Sequence, residues 1–166
     1  MNDDLAAELH RRYTRDQEAR TAYTPGGDWA DVVSVDTDNT AWLKDVIAEH
    51  GWPGTTLVGE AGANAAWLIA QHADRDREFQ EQALHLVTAA AEAGEASPAH
   101  VAYLTDRVLV AKGEPQLYGT QYVCDSDGSN LRPQPTVEPE SLDDRRSAMG
   151  LESSADYDRR MREVAG

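Results

Sequence analysis

The chain has 166 residues, with 30 Asp and Glu against 15 Lys and Arg, and so carries a formal charge of −15 at pH 7. That charge repels phosphates, which excludes a nucleic-acid surface built on counterion release and disfavours an anionic membrane leaflet. The length suffices for one core burying roughly 70% of the unfolded surface, and the single cysteine, Cys124, excludes an internal disulfide and a cysteine-clustered zinc site.

Residues 2 to about 22 place Leu5, Leu9 and Tyr13 at four-residue spacing among charges, an amphipathic helix with a narrow apolar stripe that reads as an arm, 1–23. The opening Met1-Asn2-Asp3-Asp4 is acidic and has no basic segment before an apolar run, and no stretch approaches the roughly 20 apolar residues of a membrane span. The protein is therefore expected in the cytoplasm. Thr24-Pro25-Gly26-Gly27-Asp28 is a breaker cluster, and Trp29 to Val35 reads as loop or a short extended segment.

The remainder, 36–166, is expected to form one helical domain. A helix starting near Thr37 or Asp38 gathers Trp42, Leu43, Val46 and Ile47 on one face and stops at Gly51. The next runs from about Ala61 to Ala73, and its centre, Ala65 to Ala70, is apolar nearly all round, as in a central helix. A fourth spans about Arg77 to Ala93, and a fifth begins at Ser97-Pro98 and closes at Gly113. Gln116 to Cys124, rich in Tyr, Thr and Val, leads through Asp125-Ser126-Asp127-Gly128 to Pro133, a small β-hairpin over about 116–133 whose second arm Pro133 and Pro135 keep short. Two helices follow, about Pro139 to Met149 and about Ser154 to Val164, the second behind a loose capping box at Ser153 and Asp156. The expected fold class is mainly α, six or seven helices with one hairpin.

On the central helix, Glu60, Asn64, Trp67 and Gln71 lie within about 60° of one another, and His72 lies about 100° round. A polar ribbon on so apolar a helix is either a satisfied network or the lining of a pocket. The fifth helix adds Tyr103, Asp106 and Arg107, with Arg107 the evident cation for an anionic substrate group. Gln116, Tyr118 and Gln121 surround a glycine as a lid or pocket wall, or else as an edge strand. No His pair has metal-ligand spacing among His10, His50, His85 and His100, and no phosphate-loop or nucleophile motif occurs, so no metal and no cofactor are expected.

The combination Gly51-Trp52-Pro53, Gly59 through Asp74, Leu104-Thr105-Asp106-Arg107 and Pro115-Gln116-Leu117-Tyr118-Gly119-Thr120-Gln121 resembles the bacterial family of domain of unknown function 6624, over about residues 36 to 150. The resemblance implies a shared residue pattern that includes Gly51, Trp52, Gly59, Gln71, His72, Asp106, Arg107, Gln116, Tyr118, Gly119 and Gln121, and no settled activity. So many hydrogen-bonding groups exceed what a core needs, since each one buried without a partner costs about 1–3 kcal/mol.

The expectation is a small cofactor-independent enzyme. His72 is its acid–base group, Asp106 or Glu60 orients the ring, and Arg107, Gln71, Asn64, Gln116, Tyr118, Gln121, Tyr103 and Trp67 bind a polar metabolite or natural-product intermediate, anionic or neutral. Hydrolysis, cyclisation, isomerisation and elimination all fit. The alternative is a non-catalytic domain binding a small molecule or peptide, for which an open groove with Trp29, Trp42 or Trp52 exposed would speak. The expected partner is a small molecule, with no nucleic acid and no membrane, and the protein itself a monomer or homodimer.

Overall fold

A computed structural model describes residues 1–24, 27–126 and 128–165. Pro25 and Gly26 of the breaker cluster and Asp127 of the hairpin turn lie outside the described residues. The fold is mainly α: the described residues form seven α-helices and one two-stranded antiparallel hairpin. Among the described residues no helix is long and apolar enough to cross a membrane. The chain forms two compact units, Met1–Ser97 and Pro98–Gly166.

The first unit contains α1 (Asp3–Ala22), α2 (Ala30–His50), α3 (Thr55–Gln71) and α4 (Arg77–Glu92). Its first helix is not an arm. Helix α1 packs against α3 more extensively than any other pair of elements in the chain, so residues 1–23 are core-forming members of this unit. The reason is side-chain size: Gly62, Ala63, Ala65, Ala66 and Ala70 are buried on α3, and Leu9, fully buried, closes on Gly62. Asn2 caps α1 by accepting from the Leu5 amide, and the Asn2 amide donates to the Leu57 carbonyl.

Helix α2 starts seven residues before the sequence suggests. Trp29 to Val35 is not loop or extended chain; its helical part, Ala30 onward, forms the first turns of α2, started by the Asp28 carboxylate accepting from the Ala30 amide at 2.8 Å. Val32, Val35, Asn39, Leu43 and Val46 then make one continuous buried stripe at helical spacing. Helix α3 also extends further N-terminally, but with a break: Gly59 has φ +72 and ψ 171, a backbone state closed to other residues without strain. The uninterrupted helix therefore begins at Glu60, beside the expected start.

The second unit holds α5 (Pro98–Ala111), β1 (Tyr122–Val123), β2 (Arg132–Pro133), α6 (Leu142–Ala148) and α7 (Ser154–Ala165), with a 3-10 turn at Pro139–Ser141. The strands pair Tyr122 with Pro133 and Val123 with Arg132. Pro133 donates nothing to a ladder, which keeps the hairpin to two residues on each side. The expected capping box is present: the Asp156 amide donates to the Ser153 hydroxyl, which donates to the Asp156 carboxylate at 2.7 Å.

Candidate functional site

His72 stands at the C-terminal end of α3, where its amide donates to the Leu68 carbonyl at 3.0 Å. The helix end is fixed by Gln80 of α4. Its buried side-chain amide donates to the Gln71 carbonyl and to the Asp74 carboxylate, each at 3.1 Å. The imidazole is thereby held on rigid elements, with 14% of its side chain exposed.

The carboxylate that meets this ring comes from α1. Asp16 Oδ1 lies 2.8 Å from His72 Nδ1, and the Asp16 side chain is fully buried. A buried carboxylate only accepts, so the shorter contact requires the ring proton on Nδ1 and leaves Nε2 with the free lone pair; in that tautomer the Arg20 Nε–H cannot donate to Nδ1 and serves Asp16 Oδ2 instead. Arg20, one turn further along α1, completes the cluster: its Nε lies 3.3 Å from Asp16 Oδ2 and 3.1 Å from His72 Nδ1, and its Nη2 donates to Asp36 Oδ1 of α2 at 2.7 Å. The two carboxyl groups are driven in opposite directions. Burial works to raise Asp16, but the His72 hydrogen bond and the His72 and Arg20 charges outweigh it and hold its pKa below the ordinary value. At Asp36 burial wins over Arg20 and His72, and the pKa is raised. Asp16 thus holds its charge to lower pH than Asp36, the more readily protonated of the pair.

His72 and Asp36 line a cavity of about 480 Å³ between α2 and the turn that joins α3 to α4. Thr40 and Ala73 contribute to its wall, and Lys44 and Asp76 close one side through a 2.8 Å ion pair. Arg75, three residues after His72, also lines it. Three carboxyl groups (Asp36, Asp45 and Asp76), a histidine and two cations (Lys44 and Arg75) thus line a cavity of ligand size, with Asp16 and Arg20 in contact with His72.

One oxygen from Asp16, one from Asp36 and a ring nitrogen of His72 lie within 4.8 Å of one another, the donor types of a metal site. The Arg20 guanidinium, however, stands among the same three groups and supplies their positive charge. A metal ion would have to displace it, so the donor set as built fits an ion-pair network better than a metal.

The sequence places Asp106 or Glu60 beside His72, whereas within the first unit the carboxylate that meets the ring is Asp16. Glu60 is exposed. Asp106, fully buried on α5, accepts from the backbone amides of Leu117 (2.8 Å), Tyr118 (3.0 Å) and Thr120 (2.9 Å) and from the Thr120 hydroxyl (2.9 Å). Gln116 is consumed in the same way: its side chain donates to the Gln121 and Gln134 carbonyls and accepts from the Gln121 amide. From the other side Arg145 Nε donates to the Leu117 carbonyl, Arg146 Nη1 to the Tyr118 carbonyl and the Tyr157 hydroxyl to the Thr120 carbonyl. Gly119, at φ +66 and with Leu142 3.3 Å from where a Cβ would stand, allows the chain to turn inside this knot. Residues 116–121 are a loop whose polar atoms tie the second unit together.

The other expected binding residues divide in the same way. Arg107 Nη1 reaches Gln121 Oε1 at 3.4 Å, and the Tyr103 hydroxyl accepts from Arg160 at 3.5 Å, within the second unit. In the first unit Asn64 and Trp67 are half-buried, and Gln71 is buried with its Oε1 lacking any protein partner among the described residues. Burial holds the His100 imidazole down at about 4. Of the tryptophans, Trp29 is 42% exposed and edge-on to Tyr23, Trp42 lies under the Arg12 guanidinium, and Trp52 is half-buried.

Asp16, Arg20, Asp36 and Arg75 are site residues that sequence reasoning passes over. A signal existed for Asp16: it falls seven residues after Leu9, two turns along the same face, so a charge sits on the stripe that must be buried. Asp36, by contrast, looks like any charge on an amphipathic helix.

The sequence model of the family of unknown function DUF6624 matches residues 5–166, so the chain belongs to that family and the match includes α1 as well as the central motifs. No curated protein and no solved structure matches it.

Proposed function

We propose that this member of the DUF6624 family is a small enzyme whose His72 performs general acid–base chemistry on a polar metabolite or natural-product intermediate in the cavity beside α2. One observation carries the reading: the same imidazole that lines the cavity has its Nδ1 held at 2.8 Å by the fully buried Asp16 carboxylate. A carboxylate behind a histidine fixes tautomer and ring orientation and stabilises the imidazolium that forms when Nε2 takes a proton. Such a positioned base contributes about 10²–10⁴-fold to a proton transfer. Asp36, with its raised pKa, is suited to return a proton at the same site. Proton abstraction and return serve isomerisation, elimination, cyclisation and hydrolysis alike.

An acidic surface and a single cysteine support a cytoplasmic setting, with a small molecule as partner, no nucleic acid or membrane, and a monomer or homodimer as the working state. The test is to incubate the protein with a metabolite extract and follow by mass spectrometry which compounds it consumes. Compounds consumed by the wild type and untouched by His72→Ala support the reading. Equal consumption by both proteins removes His72 from the chemistry, and no consumption at all leaves the binding-domain alternative.

A further inference from the structure

Within the cavity the charges sort into those already answered and those not. Lys44 is answered by Asp76 at 2.8 Å, and Asp36 by Arg20 at 2.7 Å. Two lining groups remain: the Arg75 guanidinium and the Asp45 carboxylate, both exposed and neither with a hydrogen bond or ion pair to any described residue. They are of opposite sign, line one cavity and do not pair with each other. A third group points the same way. Thr37 spends its hydroxyl on the Val33 carbonyl at 2.7 Å, as helical threonines commonly do, but Thr40, one turn on and only 7% exposed, makes no such bond and has no partner among the described residues. A hydroxyl in the wall of a cavity, without a protein partner among the described residues, is available to a ligand.

We infer that the cavity takes a small zwitterion, a free amino acid or a dipeptide, with its carboxylate on Arg75, its ammonium on Asp45 and a hydrogen bond from the Thr40 hydroxyl. A ligand with one charge of each sign leaves neither Arg75 nor Asp45 uncompensated; a simple anion or cation leaves one of them facing the occupied cavity alone. Arg75 offers a planar fork that matches a carboxylate, and Asp45 accepts from an ammonium, both as charge-assisted hydrogen bonds. A volume of about 480 Å³ accommodates a molecule of this size. The inference rests on the cavity proposed above as the substrate site, but not on His72 carrying a proton.

The experiment is isothermal titration of the full chain with the twenty free amino acids and with glycylglycine and alanylalanine. At least one should bind. For the best binder, converting the carboxylate to an amide and acetylating the amine should each weaken binding about tenfold, the scale of one charge-assisted hydrogen bond. The loss should be crossed: Arg75→Gln weakens the parent compound about tenfold but not the amide, and Asp45→Asn weakens the parent but not the N-acetyl derivative. Thr40→Val should weaken the parent with no loss of thermal stability. No binder in the panel, or a binder indifferent to either charge removal, overturns the proposal. Titration reads binding without turnover, so this charge pattern in a protein whose metabolite consumption does not depend on His72 overturns the acid–base reading alone, and His72-dependent consumption without this pattern overturns the present proposal alone.

Discussion

Two buried carboxylates, Asp16 in the first unit and Asp106 in the second, meet different kinds of donor, and the donors decide what each does. Asp106 accepts from three backbone amides and one hydroxyl, groups that do not titrate near neutral pH. Asp16 meets an imidazole and a guanidinium, and the imidazole borders a cavity. The first arrangement holds a loop, and the second holds a titratable ring in a fixed tautomer. A buried acid therefore marks structure when it is surrounded by backbone and a site when it stands behind a histidine that reaches open volume.

The sharpest way to break this contrast is Asp106→Ala, which strands four donors in the second unit. It should cost about 4 kcal/mol in chemical denaturation, and a loss under about 1 kcal/mol would free Asp106 for another role. Next, Gln116→Ala, which removes three bonds from the same loop, should cost about 2–3 kcal/mol without altering the His72 chemistry; a selective loss of turnover in a stably folded variant would put the loop back in the site.

Asp16→Asn should cost less stability, about 2 kcal/mol at neutral pH, since Arg20 retains Asp36, yet reduce turnover about a hundredfold through the loss of ring orientation. Its pH dependence follows from the lowered folded-state pKa. The Asp16 contribution is fully present above the unfolded value of 3.8 and is lost as pH falls through the lower folded value, so the gap between wild type and Asp16→Asn should close in strong acid. Asp36 has the opposite sign. Its raised pKa favours the folded state once protonated, and this gain is lost as pH rises from 3.8 through the folded value. Denaturation profiles of wild type, Asp16→Asn and Asp36→Asn from about pH 2 to pH 7 would show the two slopes opposed, and parallel slopes would refute the division of roles.

His72→Gln should have the smallest effect on stability, within about 1 kcal/mol for a partly exposed ring, together with the largest effect on chemistry, about 10²–10⁴-fold. A variant that unfolds instead would make His72 a structural residue like Asp106.

The sequence was a sound guide wherever local chemistry decides. The apolar run Ala65 to Ala70 marked a central helix, Ser97-Pro98 marked the start of α5, and Pro133 kept the hairpin short. His72 was legible as a polar residue at the edge of that central helix. The family motif around Gln116 to Gln121 was equally legible, but its meaning was not, because hydrogen bonds to Asp106, Arg145 and Arg146 come from residues 11 to 28 positions away.

By itself the sequence determined the helical class, the positions of most helix ends and the place of a histidine at the end of a buried helix, all of which follow from periodicity, capping and turn residues within a few positions of one another. Only tertiary structure decided that α1 closes on the alanine and glycine face of α3. That packing carries Asp16 across 56 residues of sequence to His72, and no local pattern encodes a contact that depends on how closely two helices can approach.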